Sequence, residues 1–128
     1  MAADFAGKAI LLVDDDREIL ASMMTAMEEL GVELYAASDG NQAVRLADEH
    51  NPDIVVLDMM LPKRSGFLVL EKLKKDKKKT DPPRVIMITA NPGARHRVYA
   101  ETLGVDKYFN KPFRMEKLMQ AVRELLEQ

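Results

Sequence analysis

The sequence predicts an α/β domain with a parallel five-stranded sheet wound with helices on both faces. Three observations predict it. Apolar runs of strand length, "KAILLVD" (8–14), "DIVVLD" (53–58) and "RVIMITA" (84–90), are rich in branched residues and read as strands buried on both faces. Segments with helical spacing separate them, so successive strands must be joined by crossovers. The 128 residues, 47% hydrophobic and 31% charged, suit one globular domain with its own core.

The elements follow in order. After the first strand, "DREILASMMTAMEELG" (16–31) places Ile19, Met23, Met27 and Leu30 on one helical stripe, with Asp16 to cap its start and Gly31 to end it. "VELYAAS" (32–38) is a second, weaker strand. "DGNQAVRLADEHN" (39–51) is a helix with Ala43, Leu46 and Ala47 inward. The third strand, 53–58, leads to a helix through "GFLVLEKLKK", with Ser65 as its cap. The fourth strand, 84–90, precedes a helix over 93–104 whose Pro-Gly start predicts either a late beginning or a mobile helix. "DKYFN" (106–110) is a short fifth strand, and "RMEKLMQAVRELLEQ" (114–128) is an amphipathic helix with Leu118, Val122 and Leu125 on one side. The biased segment "KKDKKKTDPPR" (74–84) reads first as a solvated loop and second as a docking patch for an acidic partner.

In open parallel sheets, ligands bind outside the carboxyl ends of the strands. Those ends hold Asp14, Asp15 and Asp16 after strand one, Asp58 at strand three, Thr89 at strand four and Lys111 after strand five. Asp16 is read chiefly as a cap. The remaining acids cannot gather uncompensated, because two unit charges 4 Å apart repel by about 4 kcal/mol at a protein surface. Oxygen ligands without His or Cys favour Mg²⁺, Mn²⁺ or Ca²⁺ over zinc. Cation, lysine and threonine hydroxyl together would stabilise a transferring phosphoryl group, with Asp58 on its rigid strand as the nucleophile.

These residues resemble the receiver domain of two-component response regulators over almost the whole chain. "ILLVDDD" is similar to that family's acidic motif, "DIVVLDMMLPKRSGF" to its phosphoacceptor motif, "VIMITA" to its strand-four motif and "YFNKPF" to its lysine motif. The four are short, but they stand in order on the expected elements. The resemblance implies a doubly wound, flavodoxin-like fold with strand order 2-1-3-4-5, a domain over 1–128 with its core at about 8–127, and no output domain in this chain. It implies that Asp58 accepts a phosphoryl group from the phosphohistidine of a sensor histidine kinase or phosphotransfer protein. Asp15, Asp58 and the backbone carbonyl of Met60 would ligate Mg²⁺, with Mn²⁺ able to substitute, and Asp14 would act through a bound water. Lys111 would pair with Asp58 and then with phosphate, Thr89 would swing in to bond the phosphate, and Tyr108 would turn inward with it. A cis Lys111-Pro112 bond is also implied.

The resemblance further implies a cytoplasmic switch, not an enzyme that turns over, whose helix 4, strand 5 and helix 5 surface changes for an effector or a homodimer. Two departures are visible. Ser65 stands where the family often has Asp, and Met60 offers no group to orient an attacking water, which leaves Asn91 as the other neighbour of that water. His50 and His96 read as surface residues.

Other classes fare worse. A flavodoxin-like cofactor binder would need a Gly- or Ser/Thr-rich phosphate loop where "DDD" stands. An aspartyl phosphohydrolase commonly has a second acid two residues past the nucleophile, and here that residue is Met60. A degenerate receiver that only docks would lack a site residue, and none is missing. With no cysteine there are no disulfides or thiolate metal sites, and no apolar run approaches the ~20 residues of a spanning helix. A formal net charge of −2 exerts no general pull on nucleic acid or anionic lipid, and "MAADFAGK" lacks the pattern of a secretory signal.

Overall fold

A computed structural model describes residues 5–90 and 93–128. Five parallel strands, β1 (Ala9–Val13), β2 (Glu33–Ala37), β3 (Ile54–Asp58), β4 (Arg84–Thr89) and β5 (Lys107–Asn110), form one sheet in the order β2-β1-β3-β4-β5. The helices are α1 (Arg17–Met27), α2 (Gly40–His50), α3 (Gly66–Lys74), α4 (Ala94–Thr102) and α5 (Met115–Leu126). The expected order and winding are both present.

Alternation along the strands divides the core into two layers. Ile10, Leu12, Ile54, Val56, Ile86 and Ile88 face α1 and α5, whereas Leu11, Val13, Val55, Leu57, Val85 and Met87 face α2, α3 and α4. Each fully buried side chain of this size contributes about 1.5–3 kcal/mol, so the central strands are the most rigid part of the molecule. Every residue of β1 and β3 is buried.

The helix signals hold locally. The Asp16 carboxylate accepts from the amides of Glu18 and Ile19, and Ser65 Oγ accepts from Leu68 N–H. The first helix tightens into a 3-10 turn at Glu28–Leu30 and stops at Gly31, whose φ of 73° suits glycine. The fourth helix starts at Ala94, behind a Gly93 cap that makes no side-chain hydrogen bond, and buries only Ala100. It is the least anchored of the five helices.

Candidate phosphoacceptor site

Strand register brings the predicted acids together. Val13 lies opposite Leu57 in the β1–β3 pair, so Asp14 and Asp58 leave the sheet side by side. They are 1% and 3% exposed, respectively. With the exposed Asp15, each offers a carboxylate oxygen within 4.8 Å of the others. Thr89 ends β4, fully buried, opposite Asn110 of β5. Its carbonyl accepts the Lys111 amide at 2.7 Å, which fixes where the lysine starts back toward the acids.

Lys111 Nζ stands 3.0 Å from Asp14 Oδ2 and 3.3 Å from Asp58 Oδ2. The backbone supplies the rest: Asp16 N–H donates to Asp14 Oδ1 at 2.9 Å, and Met60 N–H donates to Asp58 Oδ1 at 3.1 Å. Asp14 Oδ2 is buried and, despite its ion pair, has no aligned hydrogen bond among the described residues. One ammonium is thus shared by two buried carboxylates. The cost falls on Asp58. Burial, followed by the charge of Asp14, pushes its carboxyl up to about 6, against the opposing pull of the Met60 amide and Lys111. Burial works against the Lys111 charge, but the two carboxylates outweigh it and the ammonium is held above its usual range.

The donor set fits a hard divalent cation. Among the described residues three carboxylates converge, one buried oxygen is left without a hydrogen bond, and no His or Cys belongs to the cluster. Asp14, Asp15 and Asp58 are the side chains that could hold it.

The loop after Asp58 explains the neighbouring residues. Gly66 N–H donates to Met59 O at 2.8 Å, drawing the start of α3 hard against the end of β3. A Cβ on Gly66 would lie 2.6 Å from Met59 Cα and would overlap the Asp58 carbonyl, so only glycine fits. Met59 is buried, while Met60 is 58% exposed beside the acids. The Tyr108 ring lies in the layer of α2, α3 and α4, with the Arg97 guanidinium 5.8 Å from its centroid. Its hydroxyl is already buried, without a hydrogen-bond partner among the described residues, and burial raises the phenol pKa. The Lys111-Pro112 bond is cis, as expected, and so is Pro82-Pro83. Asn91 lies outside the described residues.

Two surface readings change. The lysine-rich loop is not simply solvated, because Lys74 is 6% exposed and donates to the carbonyls of Lys79, Asp81 and Pro83 at 3.0, 2.6 and 3.2 Å. The signal was present, since Lys74 follows Leu70 and Leu73 on the buried stripe of α3. His96 is half-buried, with its ring stacked on Phe67 at 5.9 Å and its Nδ1 enclosed. His50 stacks on Tyr35 at 3.9 Å. Sequence reasoning also passed over Asp106, which binds Arg84 Nε and the Val85 amide at 2.9 and 3.0 Å where β4 begins.

Comparison with known proteins agrees with this geometry. The family model described as "Response regulator receiver domain" matches residues 10–123. The DNA-binding dual master transcriptional regulator RpaA of Synechocystis is 37% identical over 117 residues, covering 91% of this chain and 48% of that protein. The chain therefore spans about half the length of the curated relatives it matches. Among solved structures, the receiver domain of the Francisella response regulator 1452 superposes with a TM-score of 0.84 at 30% identity, covering 94% of this chain and 98% of that one. A CheY-like receiver domain protein from Methanospirillum hungatei gives 0.86 at 28% identity, covering 94% of each chain. Acids aligned by strand register, a lysine returned to them from β5 and a family match across nearly the full length lead to one conclusion: this chain belongs to the response regulator receiver domain family.

Proposed function

We propose that the chain works as a phosphorylation-operated switch with Asp58 as its phosphoacceptor. The observation that carries this reading is the buried, under-compensated pair Asp14 and Asp58 with Lys111 set between them. With its carboxyl at about 6, Asp58 is mostly ionised at neutral pH and able to attack phosphorus. In the proposed step a new Asp58 O–P bond forms and the P–N bond of a kinase or phosphotransfer-protein phosphohistidine breaks. The imidazole leaves with the electron pair and takes up a proton. Lys111 supplies a fixed positive charge to the phosphoryl oxygens, and Thr89 supplies a hydroxyl at the end of the neighbouring strand. Mg²⁺ or Mn²⁺, held by Asp15, Asp58 and the Met60 carbonyl with Asp14 acting through water, would supply charge neutralisation when bound.

An aspartyl phosphate adds close to two negative charges and three acceptor oxygens. Lys111 and Thr89 can follow those oxygens, and their backbones are joined by the 2.7 Å bond between β4 and β5. The weak anchoring of α4 and a buried Tyr108 hydroxyl without a partner among the described residues favour the surface of α4, β5 and α5 as the part that responds. That surface would engage a downstream effector or a second copy. Curated relatives about twice as long are transcriptional regulators by name, which makes a transcriptional output a natural proposal. Met60 provides no second acid or water-orienting group, so the chain acts as a switch in place of an enzyme with steady turnover. None of its described helices is long and apolar enough to cross a membrane, in keeping with a cytoplasmic setting.

Asp58→Asn tests the assignment. Wild type incubated with a small acyl phosphate and Mg²⁺ should gain one phosphoryl group by intact mass, and the variant should gain none. Equal labelling of both would remove Asp58 from its role.

A further inference from the structure

The segment from Lys72 to Arg84 is unused by the phosphoacceptor reading. It holds seven cations against two acids, a net of +5, within a chain of net −2, so the remaining residues carry −7. It connects α3 to the amino end of β4, at the opposite end of the sheet from Asp58. Lys72, Lys75, Lys78 and Lys79 are exposed, and among the described residues none of their ammonium groups has an ion-pair partner.

The loop that carries them is held from within. Lys74 extends inward and its ammonium binds three loop carbonyls, those of Lys79, Asp81 and Pro83. Asp81 adds a local clamp, its Oδ2 accepting Lys78 N–H at 2.9 Å while its own amide donates to Lys78 O at 3.0 Å. Lys77 Nζ donates to Pro82 O at 3.2 Å. Like-charged lysines would ordinarily spread a loop apart, whereas here Lys74 and Lys77 fix the backbone that presents the rest. A loop ordered in advance lowers the entropy cost of binding.

We propose that this pinned lysine loop is a docking surface for an acidic polypeptide segment, separate from the phosphoacceptor site and usable whether or not Asp58 is phosphorylated. Charge complementarity selects the partner. A compact acidic segment can cover the exposed lysines alone, while an extended polyanion such as duplex DNA would also face the −7 carried by the rest of the chain. In this reading Lys74 is a positioning residue that acts through the backbone, and the exposed lysines make the contacts.

The experiment titrates the intact chain with a short capped oligoglutamate peptide by NMR, with duplex DNA and phosphatidylserine vesicles as parallel arms. The peptide should shift amides within 72–83, bind more weakly as salt rises, and bind equally well to Asp58→Asn and to wild type before and after phosphorylation. The combined variant K72Q/K75Q/K78Q/K79Q should lose binding by at least about tenfold. Lys74→Met keeps every exposed charge but removes the pin, and should weaken binding severalfold. Should Lys74→Met fail to fold, Asp81→Ala removes the local clamp and should weaken binding despite deleting a negative charge. Tighter binding of DNA or vesicles than of the peptide overturns the proposal. So does peptide binding unchanged in the four-lysine variant, or unchanged in the variant that frees the loop.

Discussion

Two lysines, Lys74 buried and Lys111 half-buried, stand at opposite ends of the same sheet, and they live in opposite circumstances. Lys74, below the amino end of β4, gives its ammonium to three neutral carbonyls. Burial lowers its pKa, the charges of Asp106 and Asp81 pull the other way, and the like charges of Lys77 and Arg84 add to the lowering. Lys111, above the carboxyl ends, lies between two carboxylates that repel each other and cannot fully neutralise both. The Lys74 ammonium has its hydrogen bonds satisfied by the loop, while the Lys111 end is left short of positive charge. The difference teaches where change can be driven: a satisfied cluster holds the scaffold, and a cluster with a deficit responds to whatever charge arrives.

Substitution should separate the two ends. The largest effect expected is from Lys74→Met, which strands three inward carbonyls and should cost about 2–4 kcal/mol in chemical denaturation. Lys111→Met should cost about 2 kcal/mol near pH 7, and less as pH falls, because Asp58 escapes the loss by taking up a proton. A cost for Lys111→Met that is flat with pH would mean the acids are not coupled through it.

The smallest effect has the opposite sign. Asp58 titrates at about 6 when folded against an ordinary 3.8, so between those values the folded state holds more protons than the unfolded one. Its contribution to stability is therefore present at low pH and is lost as pH rises through about 6. Without metal, Asp58→Asn should stabilise the chain by about 1–2 kcal/mol at pH 7 and by almost nothing at pH 4. A destabilised variant at pH 7 would show that Asp58 is fully compensated after all.

The sequence was most legible where one interaction dominates. Unbroken apolar runs marked the central strands, and Asp16, Ser65 and Gly31 marked helix ends that the hydrogen bonds then bore out. Asp14, Asp58 and Lys111 could be foreseen together because strand ends are fixed by the apolar runs behind them. Lys74 was harder. Its burial depends on carbonyls five to nine residues onward that turn back toward it, and a charge-run reading averages over such geometry. The enclosed His96 Nδ1 and Tyr108 hydroxyl likewise arise from packing around α4, with Phe67 of α3 on the His96 ring and Arg97 of α4 over Tyr108, which residue type alone does not encode.

The comparison of the two ends is tested most directly by mapping backbone amide shifts while Mg²⁺ is added to the metal-free chain. Saturable shifts concentrated at residues 14–16, 58–60 and 111 are expected, with the loop 74–83 unmoved. Shifts that fail to appear at the acids, or that spread evenly over the acidic surface, would contradict it.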